Sequence, residues 1–181
     1  GMSGMQPLVN DRAALLANAE VYAEKDRPPG SDCEILLDYL CNDKCLSDLP
    51  PAEYAAILLE HDSGVIKVCR DNYGVRPLYD GRCSACGSIC FSSEPGPLID
   101  IGCTQIKQVQ PGKVFKFIPG CKPINIPTVP KKMNLYPIHA FVVSVAHRLL
   151  GTDHSDGVGI LLSGGLDSTL VAYAACMTHS K

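Results

Sequence analysis

The spacing of apolar side chains divides the chain into short segments. Residues 15–22 form an apolar run with β-compatible ends, which predicts a strand. KDRPPG at 25–30 is a turn, because Pro-Pro and Gly both break regular structure. Ser31 is followed three residues later by Glu34, with Ile35, Leu36, Tyr39 and Leu40 at helical spacing behind it. That pattern predicts a capping box opening an amphipathic helix. After a loop at 47–51, apolar runs at 54–60 and 65–70 flank His61-Asp62-Ser63-Gly64, which predicts a hairpin. Leu78-Tyr79 and residues 89–92 predict a second pair around the Gly- and Cys-rich tip DGRCSACGS. Pro111-Gly112 then turns the chain into an alternating strand at 114–118.

From 119 to 134 the pattern changes. Pro119, Pro123, Pro127 and Pro130 recur with few strong helix formers, so the segment reads as an extended linker. It sets a domain boundary, with one domain over 2–118 and the start of another over 135–181. Ile138, Phe141, Val142, Val145 and Leu149 keep helical spacing and predict an amphipathic helix over 136–150. The apolar run at 157–162 predicts a buried strand, 163–168 a loop, and 167–177 a helix. No internal repeat is visible.

Composition narrows the class. The chain has 181 residues, 46% of them apolar and 19% charged, which excludes a wholly disordered protein. A net charge of -3 gives no basic excess for nucleic acid. No apolar stretch is long enough to span a bilayer, and GMSGMQPLVN has no secretory pattern. Gly1 ahead of Met2 reads as a remnant of tag cleavage. Ten cysteines without a secretion signal predict mostly free thiols in a reducing, cytoplasmic compartment.

The sharpest chemical signal is GILLSGGLDST at 159–169. An apolar run enters a Gly-Gly turn and a helix starts at once. Backbone N–H groups at such a start, with the helix dipole, favour an anion, and glycines let the backbone approach it. Ser163 and Ser168 add hydroxyls. Asp167 fits such a site if Mg²⁺ bridges it to phosphates. The glycine spacing differs from a Walker loop and the Lys is missing. The bland alternative is a capped helix.

SGGLDS after an apolar run resembles the pyrophosphate loop of ATP pyrophosphatases, and among these glutamine-hydrolysing asparagine synthetases. Upstream, Gln6-Pro7-Leu8 and Asn18-Ala19-Glu20-Val21-Tyr22 resemble that family's Q-P-L and N-G-E-I-Y. Gly30-Ser31-Asp32-Cys33-Glu34 resembles G-S-D-x-E, and the run from Arg70-Asp71 to Pro77-Leu78-Tyr79 resembles R-D-x-x-G-x-x-P-L-Y. Phe91-Ser92-Ser93-Glu94 resembles F-x-S-E, and Val109-Gln110-Pro111-Gly112 resembles V-x-P-G. The motifs occur in order across almost the whole chain.

The resemblance implies an α+β protein: part of an N-terminal-nucleophile αββα sandwich, then the opening helix-strand-loop-helix of an α/β ATP-pyrophosphatase domain. In the complete family, ammonia released from glutamine amidates aspartate with MgATP. Carried over, the Asn18 side chain and the Ala19 N–H would form an oxyanion hole. Glu20 and Asp32 would hold the glutamine ammonium. Leu161, Ser163, Gly164, Gly165, Asp167 and Ser168 would line the ATP site. Glutamine, aspartate, ATP and Mg²⁺ are the implied ligands; missing N-terminal strands would leave a sheet edge open, which predicts a homodimer through that edge.

Three departures stand out. The family's nucleophile is an N-terminal Cys, and no cysteine precedes Cys33. Ser3 is a poor substitute, because it sits just before Gln6-Pro7-Leu8, which the family places well past the nucleophile strand. Ala19 replaces a Gly, which would strain a positive φ or narrow the glutamine pocket. The chain also stops one helix past the phosphate loop. It is therefore expected to be inactive alone. The alternatives are a non-catalytic glutamine- or nucleotide-binding module, and a β-lactam-synthetase-like ligase with a dead amidotransferase domain.

Other residues have plainer readings. Arg70 and Asp71 are expected to form a structural ion pair, and Glu94 to bond backbone in the sheet. Cys41 and Cys45 are expected to pack at a helix end. Cys83, Cys86 and Cys90 are a weak zinc candidate, with Cys69 or Cys103 as fourth ligand; zinc is not expected, for want of a second C-x2-C. His61, His139, His147, His154 and His179 show no metal spacing.

Overall fold

The computed structural model describes residues 5–22, 31–128, 137–150 and 157–179. Ser3, His154, the turn at 25–30 and the 129–134 half of the Pro-rich segment lie outside them. The elements are β1 (Leu8–Val9), β2 (Ala13–Val21), α1 (Cys33–Cys41), β3 (Ala52–Glu60), β4 (Ile66–Arg70), β5 (Tyr79–Cys83) and β6 (Ile89–Ser92). They continue as α2 (Pro95–Asp100), β7 (Cys103–Gln108), β8 (Lys113–Phe117), β9 (Ile124–Pro127), α3 (Pro137–Leu150) and α4 (Leu166–His179). All strand pairs are antiparallel. A 6-stranded sheet runs β1-β2-β3-β4-β8-β9, and a 3-stranded sheet runs β6-β5-β7.

The period-2 alternation of β2 sorts its side chains. Ala13, Leu15 and Val21 are buried, whereas Leu16 and Asn18 on the opposite face are exposed. The first face joins Tyr54, Ala56 and Leu58 of β3 beneath Leu36, Leu37 and Leu40 of α1. Fully burying one such leucine is worth about 1.5–3 kcal/mol. On the sheet's other face, Ala55 and Val68 meet Leu78 and Val109, with Phe91 and Phe117 edge-to-face at 5.6 Å. This second core joins the two sheets. Leu98 of α2 packs near Gly81 on the small sheet, where an added Cβ would lie 3.6 Å from its Cδ1. The layers are helix, large sheet, small sheet, helix.

The predicted capping box forms in part: Glu34 bonds back to Ser31, but the Ser31 hydroxyl takes the Cys33 N–H instead of that of Glu34, and Asp32 is the N-cap. Ser31 Oγ accepts the Cys33 N–H at 3.3 Å, and Glu34 Oε1 accepts the Ser31 N–H at 3.4 Å. The far end of α1 is tied down by Lys67, which is only 1% exposed. Its Nζ donates to the Leu40 carbonyl at 2.7 Å and pairs with Glu60 at 2.8 Å and Asp43 at 2.9 Å. Burial works against the Lys67 charge, but the bonds to Glu60 and Asp43 override it and raise its pKa.

Two expectations change here. Residues 157–162 form no strand, and Leu161 is 96% exposed. A fully buried strand needs neighbours to pair with and cover it, and none stands beside this segment among the described residues. Of the Pro-rich segment the described part, 119–128, turns at 119–121 and then pairs 124–127 with β8 as an edge strand instead of forming a free linker, a place where proline is tolerated.

Candidate functional site

β2 carries Asn18, Ala19 and Glu20 opposite Ala55, Tyr54 and Glu53 of β3. Asn18 is exposed, and Ala19 and Glu20 are half-buried. Asp32 reaches this strand from the start of α1: its Oδ2 accepts the Val21 N–H at 3.2 Å. The capped helix thus brings the Asp32 carboxylate to the residue next to Glu20. The sequence separates the two carboxylates; the fold gathers them at one end of β2.

Past the short pairing with β1, the outer edge of β2 is closed by side chains. Ala17 donates its N–H to Gln6 Oε1 at 2.7 Å, and Gln6 Nε2 donates back to the Ala17 carbonyl. The Cys33 thiol lies along the same edge, donating to the Ala17 carbonyl at 3.9 Å and accepting from Gln6 Nε2 at 3.8 Å. Burial pushes that thiol above its ordinary pKa. The Ser31 hydroxyl and the Ala19 backbone oppose the shift, while the Asp32 and Glu20 charges add to it. A buried thiol of raised pKa is inert, so Cys33 is no replacement for an N-terminal nucleophile.

Ala19 escapes the strain anticipated for it. Among the described residues only Asp43 and Gln105 are non-glycine positions with positive φ. Ala19 lies in extended backbone, with its methyl against the core under α1.

Glu53 was not foreseen. It faces Glu20 across the strand pair, and two like charges directly opposite repel. Arg148 of α3 lies 3.1 Å from Glu53 and Arg76 lies 3.8 Å away, which offsets that repulsion. The Arg148 guanidinium also sits 5.1 Å from the centre of the Tyr22 ring. Burial, then the Glu53 charge, raises the Tyr22 pKa against the pull of Arg148. Beside this group a cavity of about 450 Å³ opens between residues 71–75 and α3, with Tyr73 and the half-buried His147 on its wall. No local spacing could reveal the Glu53–Arg148 contact, because the two lie 95 positions apart.

The Arg70-Asp71 motif proves structural, but not as an ion pair. Arg70 donates to the carbonyls of Arg76, Val109 and Gly74. Asp71 accepts backbone N–H groups of Tyr54, Tyr73 and Val75. Both side chains are buried and shape the turn after β4. Glu94 does not bond the sheet through its carboxylate; it is exposed ahead of α2, and its N–H meets Ser92 Oγ. Cys41 is buried at the end of α1, and Cys45 is exposed.

The second set of residues gathers at the start of α4. Ser163 Oγ and Ser168 Oγ are 3.0 Å apart, and Ser168 also bonds the Gly165 carbonyl. Gly164 has φ +83, which a side chain rarely adopts, and open space surrounds its Cα. Leu161, Ser163, Gly164, Gly165 and Asp167 are exposed, and Ser168 is half-buried. The cysteines of the zinc candidate, Cys83, Cys86 and Cys90, lie elsewhere, on and around the β5–β6 hairpin.

Among the described residues no helix is long and apolar enough to cross a membrane. Residues 1–100 match the family of the glutamine amidotransferase domain. The chain is 32% identical over 194 residues to asparagine synthetase [glutamine-hydrolyzing] 2 of Arabidopsis thaliana, covering 96% of this chain and 32% of that protein. A probable asparagine synthetase [glutamine-hydrolyzing] of Acanthamoeba polyphaga mimivirus is 29% identical over 215 residues, covering 96% of this chain and 38% of that one. The chain thus spans about a third of the length of the curated relatives it matches. Its fold is shared with glutamine phosphoribosylpyrophosphate amidotransferase from B. subtilis, solved with ADP and GMP. That match has a TM-score of 0.58 and 20% identity, covering 72% of this chain and 33% of that one. The ordered motifs, the doubly layered sheets and the matched first hundred residues agree: the chain belongs to the glutamine amidotransferase domain family.

Proposed function

We propose that this chain binds glutamine at the end of β2, as the amidotransferase part of an asparagine-synthetase-type protein. The observation that carries the reading is the meeting of Asp32 with the strand bearing Asn18, Ala19 and Glu20. Two carboxylates suit the α-ammonium of an amino acid. Asn18 would aim its amide at the substrate, and the Ala19 N–H would be the second donor to a developing oxyanion. In this reading ammonia from glutamine is passed on for amidation of aspartate, as the relatives' names imply for them.

The same reading assigns the α4 loop to MgATP. The open space at Gly164 and the paired hydroxyls of Ser163 and Ser168 suit phosphate oxygens, and Asp167 would be the residue to hold Mg²⁺. Bound there, ATP would supply an activating adenylyl group. Leu161 and Gly165 would complete the lining.

Calorimetric titration of the chain with L-glutamine tests the first site. Glu20→Gln and Asp32→Asn should each weaken binding about tenfold or more, about 1.4 kcal/mol. Asn at position 32 keeps an oxygen for the Val21 N–H, so circular dichroism should be unchanged. Absence of glutamine binding, or equal binding by both variants, would defeat the proposal.

A further inference from the structure

Between the two sheets lies another cavity, of about 490 Å³, which the glutamine and ATP readings leave unused. One wall is apolar and comes from the large sheet: Val68 of β4 with Phe115 and Phe117 of β8. The opposite wall comes from the small sheet and is charged. Alternation along β5 sends Tyr79, Gly81 and Cys83 one way and Asp80 and Arg82 the other. Gly81 faces Leu98 of α2, so Asp80 and Arg82 face the large sheet, and both line the cavity. The register places Phe91 on one side of Asp80 and Lys107 on the other, and these line it too. Inner faces of packed sheets normally meet through apolar side chains. Here the inward charges leave Phe91, Phe115 and Phe117 only half-buried. That is a poor arrangement for a core and a suitable one for a ligand pocket.

The chain bends to make the charged wall. Asp80 is opposite Lys107 but Arg82 is opposite Thr104, so residues 105 and 106 share the single place opposite Gly81. A bulge of this kind re-aims side chains. Ile106 stays on the α2 face, 3.1 Å from a Cβ placed at Gly81, while Gln105 lines the cavity at φ +54. Such a backbone is strained for any residue but glycine and persists only where the surroundings impose it. The wall's charges do not satisfy one another. Lys107 Nζ is 3.9 Å from Asp80 Oδ2, beyond hydrogen-bond reach. Arg82 uses Nη1 on the Gly87 carbonyl at 3.0 Å. Burial raises the Asp80 pKa in spite of Lys107 and Arg82, so its charge would gain from a cation at closer range.

From this cavity we infer that the chain has a second ligand site, between its sheets, that takes an apolar α-amino acid. The charged wall matches a zwitterion: Asp80 holds the α-ammonium, and Arg82 and Lys107 hold the α-carboxylate. The wall of Val68, Phe115 and Phe117 receives the side chain. A carboxamide side chain such as that of glutamine is disfavoured there, because the apolar wall offers it no hydrogen bonds. Asn18, Glu20 and Asp32 are not among the lining residues, so the site stands apart from the end of β2. An occupant would touch β4 and β8 on one side and β5 and β7 on the other, bridging the two sheets.

Calorimetric titration of the whole chain with L-phenylalanine tests the site, and one molecule should bind per chain. The analogue 3-phenylpropionate lacks the ammonium and phenethylamine lacks the carboxylate; each should bind about tenfold more weakly or worse. Asp80→Asn keeps the size of the side chain. It should weaken L-phenylalanine about tenfold and leave 3-phenylpropionate unchanged, a split that a merely distorted wall would not produce. Arg82→Gln should weaken L-phenylalanine and 3-phenylpropionate alike and spare phenethylamine. An excess of L-glutamine should not displace L-phenylalanine. No binding of L-phenylalanine, equal binding of 3-phenylpropionate, or unaltered affinity in Asp80→Asn would each overturn the assignment. So would displacement by L-glutamine, which would put the L-phenylalanine at the end of β2 instead.

Discussion

The strand β2 and the segment before α4 both carry an apolar run beside polar residues that the motifs single out, and they fare differently. In β2 every second residue enters a core, and Leu15 is wholly buried. At 157–162 the run is as apolar, yet Leu161 and Leu162 face outward and no strand forms. The difference lies in what is available to pair. β2 hydrogen-bonds β3 along all nine residues and receives α1 on one face. The later run has no such neighbour among the described residues. A motif can therefore be fully legible while the structure that would bury it is not supplied by the residues around it.

Three measurements press on that contrast. The largest effect should come from Lys67→Met. It removes the bond to the Leu40 carbonyl and one partner each of Glu60 and Asp43, which keep Ser63 and Lys116, so urea unfolding should show a loss of about 1–3 kcal/mol, the cost of charge-assisted bonds to a buried donor. An unchanged midpoint would mean that α1 holds without its tether. Acid should produce a gentler version. Glu60 and Asp43 are held below their ordinary pKa values, burial being overridden by the bonds to Lys67 and Lys116 for Asp43 and to Lys67 and Ser63 for Glu60. A depressed carboxylate stabilises above its unfolded pKa and loses that contribution as pH falls through its folded pKa. Stability should thus decline below about pH 4, and Lys67→Met should flatten the decline. The smallest effect should come from Leu161→Ser, within about 0.5 kcal/mol as for an exposed position. A larger loss would show that 157–162 is buried in solution and would erase the contrast with β2.

The elements legible in the sequence are those whose signal is local. The His61–Gly64 turn, the Ser31/Glu34 cap and the helical spacing from Ile138 to Leu149 each specify their structure within a few residues, and each is present, the cap in part. Others depend on distant partners. β9 hides in a proline-rich stretch and exists because β8 offers it an edge. α2 begins with two prolines in its first three residues and spans only 95–100, too short for a periodic signal. β7, Cys-Thr-Gln-Ile-Lys-Gln, is mostly polar and gains its place by pairing with β5. In the candidate site, Asn18, Glu20 and Asp32 were found by motif. Glu53 and Arg148 were not, since only the fold brings β3 and α3 together.

The side chains along the outer edge of β2 have one more consequence. Gln6 offers Ala17 a carboxamide in place of a neighbouring peptide, the Cys33 thiol donates to the Ala17 carbonyl, and Asp32 takes the Val21 N–H. Beyond the residues that β1 pairs, the strand is insulated by imitation: its own chain counterfeits a neighbouring strand. An intruding strand would have to evict all three at once. The edge is thereby guarded against another polypeptide from Ala17 to Val21.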